Sequence, residues 1–223
     1  MCGRFALYSN VSEIREAFKI QQVRWEPEAS YNVAPSQEVA VVVNRESGRS
    51  LEKMMWGLIP FWAKDDKIGS KMINARSETL SQKPSFKRPF KSQRCLVVAN
   101  GFYEWTKTER GKVPMFIQLG PQRLLGLAGL FDVWKSPQGQ DVFSCTIVTT
   151  EANDFMQPIH GRMPLILAKS QEAEWLDPAT PDIDGWLRAI GPYPNQEMEA
   201  YEVSRLVNSP QNNSMECIQP FTN

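Results

Sequence analysis

The chain has 223 residues, 42% hydrophobic and 22% charged, enough for one sizeable core in a single domain over 1–223. Its formal net charge of zero gives no bulk basicity for a polyanion partner, and no apolar run approaches the ~18 residues of a membrane span. One histidine and no C-x-x-C spacing exclude a zinc site by pattern, and the residues call for no metal or cofactor.

The N-terminus, Met1-Cys2-Gly3-Arg4-Phe5, has no signal-peptide pattern, and the four cysteines show no paired spacing. A reducing cytoplasm without disulfides is expected. Removal of Met1 would leave Cys2 with an α-amine and a thiol on one residue. Their reference pKa values, about 7.7–8.0 and about 8.5, leave a minority of each deprotonated near neutral pH. Such a pair captures one aldehyde twice, as an imine and then as a thiazolidine, which no internal cysteine can do.

Asn10 with Glu13 forms a capping-box pattern, and Ile14 and Phe18 lie four apart, so a helix is predicted over 12–19. Strands are predicted at 39–43, 54–56, 95–99, 115–119, 124–131, 143–149 and 165–167, helices at 170–176 and 182–190, and a late strand at 201–206. Strands outnumber helices without alternating with them. The expected fold is therefore α+β: a curled, mostly antiparallel sheet (a pseudo-barrel) with a few short peripheral helices.

Charge is unevenly placed: residues 1–135 hold 21 Lys+Arg against 13 Asp+Glu, and the remainder 4 against 12. The stretch 79–103 carries Lys83, Lys87, Arg88, Lys91 and Arg94 with no acid, and Phe86 and Phe90 are interleaved. It reads either as a solvated basic loop or as a nucleic-acid contact whose aromatics stack on bases.

Four polar segments sit at strand ends or in loops: Trp56–Lys64, Asn74-Ala75-Arg76-Ser77-Glu78, Asn100-Gly101-Phe102-Tyr103-Glu104-Trp105 and His160-Gly161-Arg162-Met163-Pro164. Asn74 fits a turn cap or a functional amide. Alternation between Tyr103 and Trp105 turns Glu104 toward solvent; an apolar setting would instead raise its pKa and make it a proton donor. His160 is the only imidazole, and Trp62 is either core or an exposed stacking surface.

Together with Tyr31-Asn32-Val33-Ala34-Pro35, these segments resemble the SRAP family of SOS-response-associated peptidases, or abasic-site processing proteins, over almost the whole chain. The resemblance implies a monomer that binds single-stranded DNA with an abasic site, or a single-strand/double-strand junction, and forms a thiazolidine through Cys2. Met1 removal, which would be autocatalytic, explains the peptidase name. By the same resemblance Asn74 orients Cys2 and the sugar, Glu104 serves as acid and base, and His160 assists at the imine and in reversal. Gly3, Arg4, Arg76, Thr149 and Arg162 contact the DNA backbone, and Pro35 and Trp62 splay or stack its bases. Three positions depart from the family pattern: Asn100 stands in place of Asp, Gly161 in place of an acid or amide beside the histidine, and Phe61 in place of a smaller residue. An N-terminal-nucleophile glutaminase or thiol hydrolase, and a non-covalent reader of DNA, are the competing functions.

Overall fold

A computed structural model describes residues 2–109, 111–120 and 123–221. In chain order the first strands are β1 (Phe5–Leu7), β2 (Gln22–Val23), β3 (Ser30–Val33), β4 (Glu38–Arg45), β5 (Gly48–Trp56), β6 (Asn74–Arg76) and β7 (Arg94–Ala99). They are followed by β8 (Gly101–Thr108), β9 (Gly111–Gln118), β10 (Leu125–Lys135), β11 (Asp141–Glu151), β12 (Arg162–Pro164), β13 (Ile166–Leu167) and β14 (Glu199–Glu202). The helices are α1 (Val11–Phe18), α2 (Pro84–Ser92), α3 (Glu172–Leu176) and α4 (Ile183–Ile190).

Five strands close on themselves. The antiparallel path β11-β10-β7-β4-β5 returns to β11 through a short parallel pairing, Ser144 opposite Met55 and Cys145 opposite Trp56. Closure removes the exposed edges of this sheet. Every residue of β7 is buried, as is the run 39–43 of β4, which is why both read as continuous apolar segments rather than alternating ones. This is the curled, mostly antiparallel architecture expected. The predicted first helix is present as α1: Asn10 Oδ1 accepts from Glu13 N, and Glu13 Oε2 accepts from Asn10 N. It buries Ile14 and Phe18 on the core, each contributing about 1.5–3 kcal/mol. Among the described residues no helix is long and apolar enough to cross a membrane, and all four cysteines are free thiols.

A second antiparallel sheet, β14-β9-β8-β1-β3, lies beside the barrel in the chain path, because β7 runs into β8 through a single residue. That residue is Asn100. Its Oδ1 accepts from Tyr8 N and Ser9 N, and its Nδ2 donates to Ser9 Oγ, clipping the end of β1 to the crossing point. An aspartate there has no proton to give Ser9. Gly101 follows because a Cβ would come within 2.4 Å of the Phe116 ring and 2.7 Å of the Ile117 carbonyl.

Two expectations need correction. The late strand covers Glu199–Glu202 and gives way to a 3₁₀ turn at Arg205–Asn208, whose first residues follow a Ser204 cap onto Leu206 N. The basic stretch is no loop. Lys87, Arg88 and Lys91 belong to α2, with Lys83 at its N-cap and Pro84 opening its first turn, where the missing N–H costs nothing. Phe90 is buried and Phe86 half-buried against the core, so neither stacks on bases. Arg94 is buried too: it donates to the carbonyls of Phe90 and Lys91 at the end of α2 and to those of Trp175 and Asp177 at the end of α3.

Candidate active site

Cys2 sits at the foot of β1, fully buried. The Arg4 carbonyl receives Tyr103 N from β8 at 2.9 Å and the Cys2 thiol at 3.7 Å. The β1–β8 ladder, with Phe5 opposite Phe102 and Ala6 opposite Gly101, therefore holds the N-terminal residues against the strand that carries Glu104. On the other side Asn74 Nδ2 donates to the Cys2 carbonyl at 2.7 Å. Asn74 is not a turn cap. It opens β6, which lies parallel on β11 with Asn74 opposite Ile147. The buried Trp56 indole donates to the Ile73 carbonyl at 2.9 Å, fixing the residue before it. Asn74 Oδ1 is buried with no hydrogen-bond partner among the described residues.

Alternation along β8 does turn Glu104 away from Tyr103, but not toward solvent. Tyr103 packs in a small cluster with Ala6 and Phe116, whereas Phe102, two residues before Glu104, belongs to the main core with Cys2. Glu104 is 3% exposed. Burial raises its pKa above the ordinary carboxylate range, and the amino-terminal charge and then that of His160 pull the other way. Burial also pushes the Cys2 thiol strongly upward, and the negative charge of Glu104 adds to that. The reference value of a free thiol therefore does not apply here: the thiol is protonated at neutral pH. A sulfur so placed needs a base at the moment it reacts, and Glu104 is electrostatically coupled to it.

His160 is half-buried, and the backbone of Arg162 orients its ring. Nδ1 lies 3.0 Å from both the N–H and the carbonyl of Arg162. Neutral imidazole accepts from the former, and imidazolium donates to the latter. Gly161 removes no needed partner.

The other expected residues fall into two groups. Arg4, Arg162 and Thr149 are engaged within the protein. Arg4 donates to Asn32 Oδ1 and to the Val207 carbonyl, both at 2.6 Å, with its guanidinium 6.0 Å from the centre of the Trp105 ring. Arg162 forms a two-pronged pair with Glu78 at 2.6 and 3.1 Å and donates to the carbonyl and hydroxyl of the buried Thr149. Arg76, Pro35 and Trp62 are more open. Arg76 is exposed and its guanidinium has no partner among the described residues; Gly3 and Pro35 are half-buried. Pro35 leads into Ser36, whose left-handed φ of 69° is held by its N–H on the Trp56 carbonyl. Trp62 is 48% exposed on a loop pinned at both ends, by Phe61 N on Asp132 and by the Trp134 indole on the Ala63 carbonyl. The stacking-surface alternative for Trp62 fits this placement, and the core alternative does not.

Sequence reasoning missed Asn32 and Glu78 as site residues. Asn32 is buried and spends its amide on the carbonyls of Val207, Ser209 and Asn212 while accepting from Arg4. A lone amide between Tyr31 and Val33 was the available signal. Met1, whose removal the chemistry requires, lies outside the described residues. Among the described residues no group of three or more His, Cys, Asp or Glu is placed to hold a metal ion.

Three comparisons bear on this arrangement. The family model described as SOS response associated peptidase (SRAP) matches residues 1–210. The chain is 50% identical over 222 residues to the abasic site processing protein YoqW of Bacillus subtilis (strain 168), covering 98% of this chain and 99% of that one. It is 35% identical to the abasic site processing protein HMCES of Gallus gallus, over 99% of this chain and 78% of that one. Among solved structures, a Bacteroides thetaiotaomicron protein at 23% identity superposes with a TM-score of 0.86, covering 99% and 100% of the two chains, and supports the fold. A phage-related protein of Bordetella bronchiseptica, 28% identical, gives 0.73 over 92% and 95%.

Proposed function

The chain belongs to the SOS response associated peptidase (SRAP) family, and from that membership and the surroundings of Cys2 we propose that it processes abasic sites by covalent capture. The substrate is single-stranded DNA whose ring-opened abasic sugar exposes an aldehyde. Once the Met1–Cys2 bond is hydrolysed, the freed Cys2 amine condenses with that aldehyde, releasing water and forming an imine. The thiol then adds across the C=N bond. Its proton passes to the nitrogen by way of Glu104, and a neutral thiazolidine results with no oxidant or reductant consumed.

The observation that carries this reading is Glu104: a buried carboxyl with a raised pKa, coupled to the Cys2 thiol on one side and to His160 on the other. A protonated carboxyl donates to the departing hydroxyl of the carbinolamine, and the resulting carboxylate accepts the thiol proton. Asn74, on the Cys2 carbonyl, holds the backbone while the nitrogen reacts. A glutaminase or external peptidase would direct the same thiol at an acyl carbon and release its product, leaving no adduct on DNA. Exposed Arg76 and Trp62 supply a phosphate contact and a base-stacking face.

The test is incubation with single-stranded DNA containing one abasic site, followed by denaturing gels and intact mass. An adduct one water lighter than the sum of Met1-free protein and DNA, stable without borohydride, is expected. Cys2→Ser is expected to leave only an imine that borohydride traps. Glutamine hydrolysis by wild type with no adduct would overturn the reading.

A further inference from the structure

The basic stretch that sequence reading singled out is not used by the chemistry at Cys2. Helix α2 has two faces. Ser85, Phe86, Pro89 and Phe90 turn inward, buried or half-buried, while Lys83, Lys87, Arg88 and Lys91 stand outward and exposed. Lys83, Lys87 and Lys91 recur every fourth residue, about 6 Å apart along the axis, as one stripe. None of the three has an acidic partner among the described residues. Lys87 and Lys91 line a shallow groove of about 360 Å³ together with Pro84, Arg88 and Ser92. A helix face of one sign with no counter-charge is costly in self-repulsion and gains most from a polyanion.

The stripe is coupled to an exposed aromatic pair. Asp132, 1% exposed, accepts from Arg88 Nη1 at Oδ1 and from the Phe61 backbone N–H at Oδ2, each at 3.0 Å. The Arg88 guanidinium lies 4.3 Å from the centre of the Phe61 ring. One buried carboxylate thus ties the loop bearing Phe61 and Trp62, 51% and 48% exposed, to the basic helix. Burying a carboxylate is unfavourable unless its geometry is satisfied, and here it is spent on fixing two exposed groups relative to each other.

We propose that this platform extends the DNA contact at Trp62: the single-stranded DNA flank leaving the Cys2 site continues its base stacking from Trp62 onto Phe61, and its phosphates run along Lys83, Lys87 and Lys91. Exposed aromatic faces serve unpaired bases, and neighbouring unpaired cations serve the backbone. The inference rests on the single-stranded DNA reading of the Cys2 site and extends its footprint.

The test is fluorescence anisotropy with undamaged single-stranded DNA of about 6 and about 16 nucleotides across a salt series. The variant is the triple Lys83→Gln, Lys87→Gln, Lys91→Gln, with its fold checked by circular dichroism. For the long strand, the slope of log K against log salt is expected to fall by about 2, from three phosphate contacts at ~0.7 each. Affinity for the short strand, and adduct yield on a short abasic strand, are expected to stay at wild-type level. An unchanged slope and affinity on the long strand, with wild type still forming adduct, overturns this inference alone. A loss seen only on DNA bearing a duplex arm overturns the single-strand assignment. Wild type that binds neither strand overturns this inference and the Cys2 reading together.

Discussion

Two buried glutamates, Glu104 on β8 and Glu172 on α3, are 3% and 2% exposed, yet they sit in opposite electrostatic company. Glu172 lies between two cations, with Arg49 Nη1 at 3.1 Å and Lys169 Nζ at 2.8 Å, and Arg49 also donates to the Phe18 carbonyl at the end of α1. It is a structural joint between the first helix and the third. Glu104 faces a buried thiol and an imidazole instead, and burial dominates its behaviour, raising its pKa against the pull of the amino-terminal and His160 charges. Equal burial therefore does not mean equal role. A carboxylate held between two side-chain cations ties elements together, whereas one beside a thiol and a histidine can change protonation state within a catalytic cycle.

The contrast breaks most visibly at Glu104→Gln. The amide keeps the shape but neither donates as an acid nor receives the thiol proton, so adduct formation at neutral pH is expected to slow by about a hundredfold or more, with binding to undamaged DNA retained. Equal loss of rate and binding would make Glu104 another structural joint. Stability gives an independent readout. The folded value lies above the ~4.3 of an unfolded glutamate, so between those two values the folded protein binds the extra proton and wild-type stability falls as pH rises. Glu104→Gln carries no such proton, and its advantage over wild type is expected to grow across the same window in urea denaturation.

Glu172→Ala is expected to do the reverse. It strands Arg49, whose side chain is 17% exposed, beside a half-exposed Lys169. The expected cost is about 2 kcal/mol, less than for a fully buried pair because Lys169 recovers its hydration. Adduct formation by the folded fraction is expected to stay unchanged. A slowed reaction at full folding would show that the joint reaches the site.

The barrel was legible in the sequence because strands buried on both faces leave continuous apolar runs, as at 95–99 and 39–43. The capping box at Asn10 and Glu13 was legible because it is entirely local. Two things were hidden, each for a physical reason. Helix α2 reads as a basic loop because Pro84, Pro89 and three cations mask a pattern carried by Phe86 and Phe90. Alternation assigned Glu104 the face opposite Tyr103 correctly, but a period of two cannot say whether that face is solvent or a second core. At the core end of β8 both faces are covered, and only tertiary structure reveals it. Asn74 and His160 were legible as residues of interest. Their partners, a carbonyl from Cys2 and the backbone of Arg162, are set by chain crossings that no local spacing encodes.

The smallest expected effect sharpens the comparison at its other end, where His160 draws on Glu104. Gly161 stands where the family resemblance implies an acid or amide, and a Cβ built there meets nothing within 4 Å. Its backbone does not require glycine either, since its φ lies outside the left-handed range. Gly161→Asn is therefore expected to change stability by no more than about 0.5 kcal/mol. Its rate is expected to stay within about twofold of wild type, the same scale, because the N–H and carbonyl of Arg162 already orient the His160 ring at 3.0 Å in either protonation state. Gly161→Asp adds a negative charge near the Glu104 carboxyl, and a like charge disfavours its ionisation. The acid limb of the adduct-formation profile is then expected to move to higher pH, while Gly161→Asn leaves it in place. Equal profiles for the two variants would show that a charge at position 161 does not reach the Glu104 carboxyl.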